Sequence, residues 1–156
     1  MNERKTPGRS AASPPALRIA DQVDQVTRIV YGLGFSAGLN PAQWAALRYL
    51  ARADGPGCTV SALAHHQGVT APTASETVSA LVRKELVARS PSSSDRRSHR
   101  LSLPQAGLDL HDADPLHQVA NAIDSLSTDQ RSHLGAALDV LAGQLRERRR
   151  TGRRRG

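Results

Sequence analysis

The sequence predicts a mostly α-helical fold with one small β-hairpin. Aromatic residues make up 3% of the chain and hydrophobic residues 38%, so leucine, valine and alanine must fill the core, which helices do more easily than a β-sandwich. Apolar residues recur at three- and four-residue steps, as in amphipathic helices. Two short runs, LVARS and RLSL, flank a serine- and arginine-rich stretch. This order predicts two strands joined by a loop rather than a linker between domains.

The N-terminal part of the chain contains an arm and one helix. Residues 1–15 combine Pro, Ser, Gly and charged residues without periodicity, so we expect a disordered arm. Val23, Val26 and Val30 then follow each other at helical spacing and predict a helix over about residues 17–34.

Three further helices are marked by their starts. Asn40 caps a helix whose first turn holds Pro41, while Thr59 and Thr70 cap two shorter helices separated by Gly68. The side chains predicted to face the core from these helices are Trp44, Leu47, Leu50, Val60, Leu63, Ala64, Ala74, Thr77, Val78 and Leu81.

The C-terminal part is predicted as helix over residues 104–147. Pro104 can open a helix and Pro115 kinks it, and STDQ at residues 127–130 has the form of a capping box. A narrow apolar seam suited to pairing with another helix follows, formed by Leu134, Leu138, Leu141 and Leu145. Residues 148–156 are basic, and we expect them to be disordered.

The net charge of +7 is unevenly distributed. The C-terminal RERRRTGRRRG carries +6, residues 70–100 carry +3, and residues 101–145 carry −5. A basic middle segment next to an acidic segment indicates a surface that faces a polyanion. The alternative is that the arginines only keep exposed faces solvated. The arginine-rich tail could likewise be solvated or add nonspecific affinity for DNA.

The pair of short helices around HQGVT predicts a helix-turn-helix, with a plain helical hairpin as the alternative. The second helix of such a motif enters the major groove with its N-terminal side chains foremost. The hydroxyl groups here can bond phosphates or bases, Glu76 can accept from cytosine N4, and the absence of Arg, Asn and Gln on this face favours indirect readout. The candidate contacts are Thr70, Ala71, Pro72, Thr73, Ser75, Glu76 and Ser79.

Together with the hairpin, these segments resemble the MarR (multiple antibiotic resistance regulator) family. The similar stretches are LNPAQWAALRYL, TVSALAHHQGVTAPTASETVSALVRKELVARS, SSDRRSHRLSL and LPQAG, within about residues 17–147. The resemblance implies a winged helix-turn-helix over about residues 40–103, with dimerisation helices at 17–34 and 104–147. It also implies that the hydroxyl position of the recognition helix falls on Ser75.

The resemblance assigns the wing loop a role at the minor groove. Asp95 would orient Arg97 for insertion, with Arg96, His99 and Arg100 as helpers. The chain departs from the family pattern at three positions: Glu76 replaces a common arginine, Glu85 replaces the glycine before the first strand, and Pro104 replaces a threonine.

The resemblance also implies a small phenolic or anionic effector. Weak candidates for its site are Arg28, Tyr31, Trp44 and Arg48, although Trp44 at helical spacing from Leu47 fits the core better. We expect no cofactor and no metal, because His65 and His66 are adjacent, and His111 and His117 are six residues apart rather than three or four. Cys58 lacks a basic neighbour and is expected to be an incidental thiol.

These observations predict a homodimeric, sequence-specific regulator that binds double-stranded DNA. We expect a repressor on a pseudo-palindromic operator, released by a small molecule. The alternative is a winged-helix module that binds another protein. No P-loop, G-x-S-x-G, H-E-x-x-H or dinucleotide fingerprint is present, so we expect no enzyme. One cysteine, no long apolar run and no secretory leader predict a cytoplasmic, nucleoid-associated protein.

Overall fold

The computed structural model describes residues 12–53, 58–91 and 99–153. The chain divides after Asp114 into two compact units. The first contains α1 (Pro14–Leu33), α2 (Pro41–Arg52), α3 (Val60–Gln67), α4 (Ala71–Arg83), β1 (Ala88–Pro91), β2 (His99–Ser102) and α5 (Gln105–Asp112). The second contains α6 (Leu116–Asp124) and α7 (Thr128–Arg153).

The predicted helix starts are confirmed by their caps. At α2, the Gln43 amide donates to Asn40 Oδ1 at 2.9 Å and the Asn40 amide donates to Gln43 Oε1 at 3.1 Å, which completes a capping box. The hydroxyl groups of Thr59 and Thr70 accept the amides of Ala62 and Thr73 at the starts of α3 and α4. Each bond satisfies an amide that the helix itself leaves unpaired.

Gly68 makes the turn between α3 and α4. Its φ of 66° is left-handed, a conformation that glycine adopts without steric cost. The amide of Val69 donates back to the Ala64 carbonyl at 3.0 Å and closes the end of α3. The helix-turn-helix predicted around HQGVT is therefore present.

The core lies where α2, α3 and α4 pack together. The largest fully buried side chains are Trp44, Leu47, Leu63, Leu81, Leu101 and Val78. Most of the predicted core is confirmed, while Thr77 and Val60 are partly buried. The first unit thus fixes α4 by burying one of its faces.

The hairpin is antiparallel and pairs Arg89 with Leu101 and Ser90 with Arg100. Leu101 is buried, and its amide donates to the carbonyl of Cys58 at 2.7 Å, so the segment before α3 joins the edge of β2. The strands begin and end one or two residues from the predicted runs at 86–90 and 100–103. Their backbone pairing sets the two sides of the wing.

The turn between α4 and β1 is held by tight backbone contacts. Glu85 has a φ of 58°, in the left-handed region that favours glycine. Its amide donates to Val82 O at 2.9 Å, and the amide of Leu86 donates to Leu81 O at 3.0 Å. On the outside of this turn lies Gly107 of α5, where an added Cβ would be 2.3 Å from Leu86 O.

The C-terminal helices differ from the prediction. Pro104 is the N-cap of α5 rather than its first residue, and the helix predicted over 104–147 is divided into α5, α6 and α7. Two successive ends, at Asp112 and Asp124, replace a single kink at Pro115. The capping box before α7 is confirmed by the reciprocal bonds of Ser127 and Gln130.

Both predicted disordered ends are partly helical. Helix α1 begins at Pro14, inside the predicted arm, because Ser13 accepts the amide of Ala16 and two prolines occupy the first turn. Helix α7 continues to Arg153, so residues 148–153 of the predicted tail are helical. Within the described part of the chain, no helix is both long and apolar enough to span a membrane.

Candidate DNA-binding surface

One face of α4 is free of packing at its N-terminal end. Ala74, Val78 and Leu81 are buried against the core, which leaves the opposite side of the helix outward. The exposed positions there are Ala71, Pro72, Thr73 and Glu76, while Ser75 and Ser79 are partly exposed. The structure therefore brings the predicted recognition residues onto one outward surface.

Two threonine hydroxyl groups lie together at the start of this face. Thr70 Oγ1 and Thr73 Oγ1 are 2.8 Å apart, and Thr70 Oγ1 also accepts the Thr73 amide at 3.3 Å. The positive end of the helix dipole is at this terminus. Hydroxyl groups and amides at a helix N-terminus suit a phosphate oxygen.

Arg89 was missed by the sequence reasoning and links β1 to the recognition helix. Its Nη2 donates to Ser79 Oγ at 3.0 Å. Arg89 pairs across the hairpin with buried Leu101, so both side chains leave the same face of the sheet. Arg89 lies two residues after Val87, so both side chains leave the same, helix-facing side of the strand. A charged residue at this position is the sequence signal that could have identified Arg89.

The described part of the wing presents two basic side chains. His99 and Arg100 are exposed on β2, opposite Pro91 and Ser90 of β1. Asp95, Arg96 and Arg97, the predicted minor-groove residues, lie outside the described residues.

A buried ion pair connects α2 to the segment after α5. Arg48 Nη1 lies 2.8 and 2.9 Å from the two carboxylate oxygens of Asp114. The Asp114 side chain is 2% exposed and that of Arg48 22%. His111 Nδ1 is 4.0 Å from the same carboxylate. This contact fixes the end of α5 against the helix that supports α4.

The four weak effector candidates are not joined by any hydrogen bond or ion pair among the described residues. Arg28 is exposed and pairs with Asp24, and exposed Tyr31 meets the ring of Phe35 edge-on at 5.3 Å. Trp44 is 1% exposed, as its core alternative predicted, and Arg48 already holds Asp114. Arg48 therefore faces a carboxylate in this structure, and its role in an effector site stays a prediction.

The thiol and the histidines have structural surroundings. Cys58 is buried and its thiol donates to the Ala53 carbonyl at 2.9 Å. His66 stacks on Tyr49 with ring centroids 4.7 Å apart. Burial, and then the neighbouring Cys58, raise the pKa of Tyr49. Within residues 12–53, 58–91 and 99–153, no three His, Cys, Asp or Glu side chains group as metal ligands.

Comparison with known proteins relates part of this chain to one family. A profile of the MarR family matches residues 37–98, which run from before α2 to the residue before β2. No curated protein sequence matches the chain.

Solved structures share this fold over more of the chain than the profile covers. The chain is 27% identical to a probable transcriptional regulator from Pseudomonas aeruginosa, with a TM-score of 0.65 and 80% and 96% of the two chains covered. FabT of Streptococcus pneumoniae in complex with DNA is 22% identical, with a TM-score of 0.70 and coverage of 85% and 98%. PcaV of Streptomyces coelicolor with its natural ligand is 22% identical, with a TM-score of 0.64 and coverage of 85% and 97%.

Proposed function

We propose that this chain is a MarR-family transcriptional regulator that binds double-stranded DNA sequence-specifically through α4 and the wing. The observation that carries the proposal is the outward, N-terminal face of α4 beside an antiparallel hairpin with exposed His99 and Arg100. The complex of FabT with DNA supports a DNA partner for this fold.

The chemistry of the face predicts how DNA is read. Thr73 and Ser75 offer hydroxyl groups to phosphates or bases, and Glu76 can accept from cytosine N4. Arginine, asparagine and glutamine, which make the common bidentate base contacts, are absent from the exposed N-terminal half of α4. Sequence preference then depends more on the shape and deformability of the DNA than on base contacts.

The regulatory part of the proposal rests on a homodimer. The apolar side chains of α1 and α7, among them Val26 at 56% and Leu138 at 45% exposed, are suited to burial against a second copy. Two recognition helices related by a two-fold axis require half-sites about 10 base pairs apart. The ligand complex of PcaV supports a small-molecule effector. We infer that the effector changes this spacing and so releases a repressor from its operator, and that the protein acts in the cytoplasm, at the nucleoid.

Replacing Arg97 by alanine is the test of the wing. We expect operator affinity to fall roughly tenfold or more, because the arginine that enters the minor groove is lost. Sites are first selected from genomic DNA, and binding to the selected site and to random duplex is then compared by gel shift. An Arg18→Ala variant, changed on exposed α1, controls for net charge.

The outcome of this test also separates DNA binding from the protein-interaction alternative. A wild-type chain that binds neither selected sites nor random duplex at low salt is not a DNA-binding regulator. Unchanged affinity in the Arg97→Ala variant, with circular dichroism showing a folded protein, removes the wing from the interface.

Replacing Arg89 by alanine tests the contact between β1 and α4. If Ser79 holds the guanidinium towards a phosphate, Arg89→Ala weakens DNA binding by roughly 3- to 10-fold. The double variant Arg89→Ala/Ser79→Ala should then bind no more weakly than Arg89→Ala alone, because the serine acts through the arginine. Additive losses measured by fluorescence anisotropy would instead assign Ser79 its own DNA contact.

A further inference from the structure

The C-terminal end of α7 is a helical basic segment, which we call the basic arm and define as residues 146–153. It contains five arginines and one glutamate and no apolar residue. The side chains of Arg146, Arg148 and Arg150 are exposed. At 1.5 Å per residue, the arm places a net charge of +4 along about 12 Å of helix.

Simple electrostatics explains why this run is helical rather than disordered. Arginine is among the best helix formers. The repulsion between arginines four residues apart is opposed by the negative end of the helix dipole, which favours cations in the last turn. Thr151 adds bonds from its hydroxyl group to the carbonyls of Glu147 and Arg148 at 3.2 and 3.1 Å.

We propose that the basic arm is a second nucleic-acid contact, which binds the phosphate backbone of duplex DNA without reading sequence. The inference rests on the proposed function and adds an electrostatic surface outside the winged helix. Duplex DNA carries one negative charge per about 1.7 Å of axis, so a 12 Å basic helix faces several phosphates at once.

The composition of the arm favours DNA over a membrane or a protein groove. A helix that lies on a lipid surface needs an apolar face, and a helix that fills a protein groove needs apolar anchors. The last apolar side chain of α7 before the arm is Leu145.

The experiment measures the salt dependence of DNA binding by the full chain. Arg146, Arg148 and Arg150 are replaced together by glutamine, which keeps helix propensity. The slope of log Kobs against log salt is then measured on random duplex and on a selected operator. Each lost phosphate contact reduces the magnitude of the slope by about 0.9. Arg146 and Arg150 are four residues apart and share one face of the helix, whereas Arg148 lies on the opposite side. We therefore expect a reduction of about 1.8 per chain, and an unchanged ratio of operator to random affinity.

Two matched variants make the result specific. Arg18, Arg28 and Arg52 are exposed on α1 and α2, and their replacement by glutamine removes the same charge from elsewhere. For this variant, the slope of log Kobs against log salt should stay close to that of the wild-type chain. Replacing the three arm arginines by lysine should also keep it, because point charges suffice for phosphates.

The outcomes distinguish the arm from the winged helix. Equal slope changes in the two glutamine variants would overturn the proposal that the basic arm binds DNA. That result would leave operator discrimination, and thus the proposed function, intact. The proposal is also overturned if loss of the arm arginines weakens binding to phosphatidylserine vesicles but not to DNA. A lower slope in the arm variant alone, with unchanged helix content by circular dichroism, supports it.

Discussion

Replacing Gly107 by alanine is expected to destabilise the first unit by about 2–3 kcal/mol. A Cβ at this position would lie 2.3 Å from the carbonyl oxygen of Leu86 and 3.3 Å from Leu103 Cδ2. The nearer atom is backbone in a turn whose hydrogen bonds are already fixed, so either α5 or the turn has to move. The gain in helix propensity, about 1 kcal/mol, is smaller than this cost.

Gly135 is the matched control, because it is also a helical glycine but has no atom within 4 Å of an added Cβ. Gly135→Ala should therefore stabilise α7 by about 0.5–1 kcal/mol. Urea unfolding of the two variants, followed by circular dichroism, compares the effects directly. Equal free-energy changes in the two variants would mean that the contact between Gly107 and Leu86 does not constrain the fold.

Replacing Asp114 by asparagine is expected to cost about 2–3 kcal/mol of unfolding free energy. The substitution keeps the shape but removes the charge and replaces one acceptor oxygen by an NH2 group, so Arg48 keeps at most one of its two short bonds, and that one to a neutral acceptor. The aspartate is almost completely buried, whereas the arginine is 22% exposed. Water can therefore solvate part of the unpaired guanidinium, which places the cost below that of a fully buried pair.

The exposed pair of Arg28 and Asp24 provides the comparison. Its side chains are 73% and 64% exposed, so Asp24→Asn should change stability by less than about 0.5 kcal/mol. Thermal unfolding of both asparagine variants and of Arg48→Met is the measurement. If Asp114→Asn unfolds at the wild-type temperature, the ion pair contributes nothing to the attachment of α5.

The helix starts could be predicted because their causes are local. Asn40, Thr59 and Thr70 each cap a helix within three residues of chain, and Gly68 allows a left-handed turn by its own chemistry. The outward face of α4 followed from the spacing of Ala74, Val78 and Leu81. Such features need no knowledge of distant contacts.

The features that sequence reasoning missed depend on partners in other elements or on the sum of several weak energetic contributions. The bond of Arg89 to Ser79 joins residues of two elements, and the pairing of Arg48 with Asp114 spans 66 positions. The Arg-rich composition of residues 148–153 predicts disorder, whereas α7 extends to Arg153, as arginine propensity and the helix dipole both favour. In these cases the position of a residue in the fold, rather than its type alone, determines its structural role.

The turn at Glu85 shows that a fold can keep a torsion angle after losing the residue that favours it. The family pattern has glycine there, yet this chain holds φ at 58° with a glutamate. Carbonyls of α4 anchor the turn from one side and the close approach of α5 confines it from the other. A search pattern that requires glycine at this position would miss this chain, whereas one that scores backbone geometry would retain it.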